Sequence, residues 1–174
     1  MELKILDFIQ TLRNPILDQI MLLFTSLGNG GLIWLILVII LVCIPKTRKI
    51  GVMVMLALVL DVLLCSGLLK HLFARIRPCD VNTSIQLLIP RPTDYSFPSG
   101  HTSVSFSVAA ALYFAKEKKL WIPSLILAIL ISFSRMYLYV HYPTDILGGI
   151  VLGVLCGYLG YIAVDKFIAK KIAL

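Results

Sequence analysis

Between Ser134 and Asp145 the sequence reads Ser-Arg-Met-Tyr-Leu-Tyr-Val-His-Tyr-Pro-Thr-Asp, which sets an arginine, an imidazole and a carboxylate where one very apolar run ends and another begins. Ionisable side chains at such a boundary are expensive and need a partner or a purpose. His141 and Asp145 are four residues apart, and Pro143 between them suits the first position of a helix. If a helix opens there, the two lie near one face and the carboxylate accepts a proton from one ring nitrogen. The tautomer is then fixed and the other nitrogen is free to attack an electrophile. An interfacial histidine and a helix-start aspartate also decorate membrane proteins of any function, so this stretch alone leaves both readings open.

Two further stretches carry matching chemistry. Lys70-His-Leu-Phe-Ala-Arg-Ile-Arg-Pro78 is rich in cations, and Phe97-Pro-Ser-Gly-His-Thr102 combines a proline, a glycine and a histidine at the start of an apolar run. With Pro98 as a first helical position, Ser99, Gly100 and His101 would expose unpaired N–H groups, an arrangement that binds anions. Lys70, Arg77 and Arg135 would add up to three positive charges, and arginine forks match phosphate oxygens. A phosphate held there needs a nucleophile and an acid for its leaving group. His141, oriented by Asp145, suits the first role and His101 the second.

The elements that must position these groups are apolar. Of 174 residues 59% are hydrophobic and 14% charged, well away from the composition of soluble domains. The chain reads as one membrane-embedded domain over residues 1–174, with an all-α fold and no internal repeat. Residues 1–13 suit an amphipathic helix lying at the membrane interface. Asn14-Pro15 reads as a cap and first helical position, and the glycines of Gly28-Asn-Gly-Gly31 as a turn between two short apolar runs, the second of them Leu32–Ile44. Further spans are expected over Ile50–Leu69, Thr102–Ala115, Leu120–Leu138 and Ile146–Val164, giving a six-helix transmembrane bundle. Gly149, Gly153 and Gly157 read as a packing face. The N-terminal Met-Glu-Leu-Lys suggests no removable signal peptide. Cys43, Cys65, Cys79 and Cys156 are scattered and indicate neither a disulfide framework nor a zinc site.

Six spans place eleven of the sixteen basic residues, including Lys4, Arg13 and the tail lysines Lys166, Lys170 and Lys171, on one side. The positive-inside rule makes that side cytoplasmic, with both termini there. Lys70, Arg75, Arg77, Arg91 and Arg135 fall on the far side, where an anion is the natural reason for them. The net charge of +7 is matched to lipid headgroups rather than to nucleic acid, because the cations lie between apolar runs.

Lys-x6-Arg-Pro (Lys70 to Pro78), Pro-Ser-Gly-His (Pro98 to His101) and Ser-Arg-x5-His-x3-Asp (Ser134 to Asp145) together resemble the three-part signature of the type 2 phosphatidic acid phosphatase superfamily. The resemblance implies a metal-independent phosphatase with a phosphohistidine at His141, and a phosphate held by Lys70, Arg77, Ser99, Gly100 and Arg135. It implies no cofactor, and a lipid phosphate or diphosphate as substrate at the outer face of a cell membrane. Undecaprenyl diphosphate is the leading expectation, with phosphatidylglycerophosphate and phosphatidic acid as alternatives. A protein that binds phospholipids without catalysis would need the cations but not two histidines. Asp61 reads as a carboxylate bonded to a neighbouring helix, Arg91 and Asp94 as solvated loop charges, and Arg75 as a contact to a second phosphate or a headgroup. Ile85, Leu87, Leu88 and Ile89 could cover a lipid chain or dip into the interface.

Overall fold

Residues 1–168 are described by a computed structural model. The described residues are helical, with no strand among them. Helix α1 spans Glu2–Gln10, α2 Pro15–Gly28, α3 Leu32–Cys43, α4 Arg48–Leu64, α5 Lys70–Phe73, α6 Pro78–Val81, α7 Gly100–Phe114, α8 Lys118–Tyr137 and α9 Pro143–Ile162. Four helical stretches are long and apolar enough to cross a membrane: Pro15–Cys43, Arg48–Val81, Lys118–Tyr137 and Pro143–Lys166. The shorter α7, with 15 residues, runs through the middle of the bundle against α4, α8 and α9.

Local sequence chemistry starts these helices where expected. The Asn14 side chain accepts from the Leu17 N–H at 2.9 Å, with Pro15 in the first turn. Pro143 opens α9 in the same way. The glycine face of α9 lies directly on neighbouring backbone. A Cβ on Gly149 would sit 2.8 Å from the Ser99 carbonyl, one on Gly157 2.7 Å from Ala110 Cβ, and one on Gly160 2.6 Å from the Met53 carbonyl of α4. Small residues on facing helices let backbones approach this closely, and close packing is what holds helices together in lipid. Buried Trp34, Val54, Val108, Leu112 and Ile131 join α3, α4, α7 and α8 in one core. Ile39, Val59, Leu147, Val151 and Leu155 stay exposed, as an apolar belt facing hydrocarbon requires.

The structure corrects the expected six crossings. Asn29–Gly31 forms a single tight turn with positive φ at Gly30 (59°) and Gly31 (68°), and the chain continues in the same direction instead of doubling back. The contacts record the path. Asp18 takes the Tyr137 hydroxyl at 2.6 Å, Thr25 takes Arg135, Gly28 lies against Ile131, and Trp34, Leu37 and Ile40 share a groove with Ser124 and Leu127. Residues 15–43 thus descend α8 from end to end as one broken span. The described chain runs the length of the bundle five times, the N-terminus lies at the end that holds His141, and residue 168 lies at the other. Lys4 and Arg13 move with the N-terminus, while Lys170 and Lys171 lie outside the described residues.

Helix α1 is docked on that end of the bundle. Leu6 and Ile9 are buried against Tyr137–Tyr142, the Gln10 amide donates to the Tyr137 carbonyl at 2.7 Å, and Asp7 takes the Tyr139 hydroxyl at 2.6 Å. Ile85, Leu87, Leu88 and Ile89 pack, half-buried, against the same cluster and do not line the cavity at this end of the bundle.

Candidate active site

A cavity of about 380 Å³ opens at the α1 end of the bundle, and Lys70, Arg77, Gly100, His101, Arg135 and His141 line it. Each arrives from a different local device. Between α4 and α5 the helix widens over Cys65–Leu69, and the Lys70 N–H reaches back to the Cys65 carbonyl. Such widened turns re-aim side chains and are frequent at functional sites. Ala74 then ends α5 in the left-handed region (φ 43°), and α6 restarts at Pro78 just after Arg77. Gly100 and His101 form the first turn of α7, and Arg135 the last turn of α8. His141 sits in the link between α8 and α9, where Tyr139 reverses the backbone at φ 60°.

His141 is 1% exposed, with Nδ1 3.4 Å from Asp145 Oδ2 and Nε2 3.1 Å from Arg77 Nη1. Asp145 is fully buried and amply held. Its Oδ2 accepts from Ser96 Oγ at 2.5 Å and from the Tyr142 N–H at 2.9 Å, and its Oδ1 accepts from Arg75 Nη1 at 2.6 Å. Burial, with Arg77, Arg135 and Lys70 nearby, pushes His141 well below its usual pKa. The ring is therefore neutral at neutral pH. With Nδ1–H turned to Asp145, the Nε2 lone pair accepts from Arg77 Nη1 at the cavity wall, so Arg77 must turn to another acceptor before Nε2 can act as a nucleophile.

The cations differ in what already holds them. Arg77 donates to the Val140 carbonyl at 2.7 Å, to the Asp94 carbonyl at 2.8 Å and to Asp94 Oδ1 at 2.7 Å. Lys70 meets the other Asp94 oxygen and the Tyr95 carbonyl, the latter at 3.0 Å. Burial alone would raise the Asp94 carboxyl, but the Lys70 hydrogen bond and the Arg77 charge override it and bring it down to about 2. Asp94 is 56% exposed, as a solvated loop charge would be, yet it also occupies the two cations that an anionic substrate would use. Arg135 is 5% exposed and, among the described residues, donates only to Thr25 and keeps a buried Nε with no partner. A buried, unsatisfied guanidinium nitrogen beside a cavity is a donor waiting for an acceptor.

Other expectations shift. Ser99 does not line the cavity; it precedes α7, its N–H goes to the Asp145 carbonyl at 3.1 Å, and its hydroxyl accepts from Thr102 at 3.1 Å. The N–H groups of Gly100 and His101, at the first two helical positions, lack intrahelical partners. Arg75 is not free for a second phosphate. It grips Asp145, Thr144 (2.7 Å) and Glu2 (2.6 Å), and lies 4.0 Å over the Tyr142 ring. Arg91 pairs with Asp80 at 2.6 Å. Asp61 accepts from Ser103 at 3.0 Å, as its reading from sequence had it, and also borders the cavity with Oδ1 unpartnered among the described residues. Sequence reasoning missed Ser96, whose only signal was a polar residue in the run leading to Pro98, and Asn29, which reads as a turn residue. Among the described residues no cluster of histidine, cysteine or carboxylate side chains could hold a metal ion.

Residues 48–169 match the PAP2 superfamily. The chain belongs to that family. It is 35% identical over 133 residues to an undecaprenyl-diphosphatase of Sulfolobus acidocaldarius, covering 76% of this chain and 64% of that relative. It is 32% identical to phosphatidylglycerophosphatase B of Bacillus subtilis, covering 85% of this chain and 75% of that one. Its fold is similar to the crystal structure of Aquifex aeolicus LpxE, with TM-score 0.79, 30% identity, and 91% and 93% of the two chains covered. It is also similar to a PAP2-type phosphatidylglycerolphosphate phosphatase from Bacillus subtilis, with TM-score 0.75, 30% identity, and 97% and 84% covered. By family and relatives the chain is a membrane phosphatase of the PAP2 superfamily.

Proposed function

We propose that this PAP2 phosphatase hydrolyses a lipid diphosphate, a polyprenyl diphosphate before others, through a phosphohistidine on His141. The observation that carries the reading is the cavity itself. It joins the His141 Nε2, three buried cations and the start of α7 to a side opening between the first and second spans, where Leu35 and Val62 line it and are about half exposed. A phosphate can sit among the cations while its apolar chain leaves sideways into lipid.

In the first half-reaction His141 Nε2 attacks phosphorus. The bond to the leaving oxygen breaks, and His101 supplies that oxygen's proton. In the second, His101 takes a proton from water, the hydroxide oxygen displaces Nε2, and inorganic phosphate leaves. Lys70, Arg77, Arg135 and the N–H groups opening α7 hold the equatorial oxygens throughout. Asp94 must yield Lys70 and Arg77 as the phosphate enters. No metal takes part in these steps.

Charge supports an outward-facing site. Each end carries seven lysine and arginine residues among the described ones, but at the site end Lys70, Arg77 and Arg135 are buried around the cavity, which leaves four against seven in contact with the surroundings. The positive-inside rule assigns the more cationic end to the cytoplasm and the site to the extracytoplasmic face. With Arg75 committed to Asp145, the contact to a second phosphate expected from the sequence no longer argues for a diphosphate. That preference now rests on the undecaprenyl-diphosphatase relatives, at 35% and 31% identity. Phosphatidylglycerophosphate is the second reading, favoured by the Bacillus subtilis phosphatidylglycerophosphatase.

The test is phosphate release by purified protein from farnesyl or undecaprenyl diphosphate, phosphatidylglycerophosphate, phosphatidic acid and a short soluble ester, with and without EDTA. The highest kcat/KM is expected for the prenyl diphosphate, with no effect of chelation and inhibition by vanadate. Equal rates on the soluble ester would remove the lipid assignment. Full activity in His141→Ala would remove the mechanism and restore the non-catalytic binder.

A further inference from the structure

The break in the first span lies against His101. Asn29 Oδ1 is 3.0 Å from His101 Nε2, and Gly28 passes so close beneath the ring that a Cβ there would come within 2.7 Å of His101 Cδ2. Gly30 and Gly31 adopt positive φ, which lets the chain present Asn29 and then resume as α3. His101 Nε2 is thereby occupied, while no protein group among the described residues bonds Nδ1.

We propose that Asn29 is the positioning residue for the general acid, and that the first span is broken in order to place it. This rests on the reading of His101 as the proton donor. The Asn29 carbonyl accepts Nε2–H and keeps that nitrogen protonated in both charge states of the ring. The proton that moves is then the one on Nδ1: it passes to the leaving oxygen as the phosphorus–oxygen bond breaks, and His101 remains as the neutral Nε2–H tautomer. The same bond fixes the plane of the ring. The arrangement mirrors Asp145 and His141, with a neutral acceptor in place of a carboxylate.

The experiment measures kcat/KM, which reports the step up to leaving-group departure, for p-nitrophenyl phosphate and phenyl phosphate. Nitrophenolate leaves without help, whereas phenolate needs a proton. In Asn29→Ala the phenyl ester is expected to lose about 10- to 100-fold, a part of the 10²–10⁴ that general acid catalysis contributes. The nitrophenyl ester should change by less than about 3-fold, and Asn29→Asp, which keeps an oxygen acceptor, should recover most of the loss. Equal losses on the two esters, no loss on either, or an Asp variant no better than Ala would each overturn the proposal. His101→Ala is measured beside them. If it lacks the selective loss, the reading of His101 as acid fails; if it shows the loss and Asn29→Ala does not, only the role of Asn29 fails.

Discussion

Replacing Asp145 with Asn changes one oxygen to an NH2 in a fully buried setting, and the structure shows why neither orientation is tolerated. Oδ2 accepts from Ser96 and Tyr142 and faces His141 Nδ1, while Oδ1 accepts from Arg75. With the amide oxygen toward Arg75, the NH2 faces donors on the other side and reverses the His141 tautomer, so the Nε2 lone pair is lost. With the oxygen toward His141, an NH2 meets the Arg75 guanidinium. A hydrogen bond to a charged group contributes about 1.5–3 kcal/mol. Lost from the transition state alone, that is roughly 10- to 150-fold in rate. The wrong tautomer adds to it, and the same exchange in Ser-His-Asp enzymes lowers kcat by about 10⁴. We expect kcat to fall between about 10²- and 10⁴-fold, with KM nearly unchanged because Lys70, Arg77 and Arg135 are untouched. The assay is lipid phosphate release in detergent, with vanadate binding as the check that the cradle is intact. A variant that binds vanadate normally and keeps kcat within about 3-fold would refute the orienting role of Asp145.

Asp94→Asn should strengthen inhibition by phosphate and vanadate several-fold, because it removes the carboxylate that competes for Lys70 and Arg77; the competition is constant above about pH 4, where Asp94 is ionised. Weaker inhibition would mean that Asp94 builds the anion site. Gly157→Leu should lower thermal stability in detergent by about 1–3 kcal/mol, since its Cβ would press on Ala110 and the Ala111 N–H, while Gly67→Ala, with open space around it, should be silent. Cys43 is the one exposed cysteine and lies at the end away from the site. An impermeant maleimide should therefore leave intact cells unlabelled and label Cys43 after they are opened, whereas Ser84→Cys should label at once. The buried Cys79 should react in neither case, and labelling of Cys43 from outside would invert the orientation.

The sequence made plain those features that short-range chemistry decides. Asn14-Pro15 starts a helix, Pro143 sets His141 and Asp145 on either side of a helix start, and the glycines of α9 meet small residues of α7. The path at Gly28–Gly31 was not legible, because glycines permit a reversal and a break equally well. Neighbours distant in sequence, Ile131 and His101, decide between them. The partners of Arg75 and Asp94 were missed for a related reason. Each charge finds its partner across a separation of 17 to 73 residues, from Arg77–Asp94 to Glu2–Arg75. No local spacing announces such a pair.

The grip of Arg75 on both Glu2 and Asp145 also sets an order of assembly. Glu2 belongs to α1 and Asp145 to α9, with Arg75 between them in the chain, and Thr144, beside Asp145, bonds Glu2 at 2.6 Å as well. During synthesis Arg75 meets Glu2 early and waits, half neutralised, for α9. Only when α9 arrives does a carboxylate reach His141 and the nucleophile acquire its tautomer. Under the proposed mechanism, a chain lacking α9 is expected to hold the cations and His101 yet release no phosphate, because the carboxylate that orients His141 is missing.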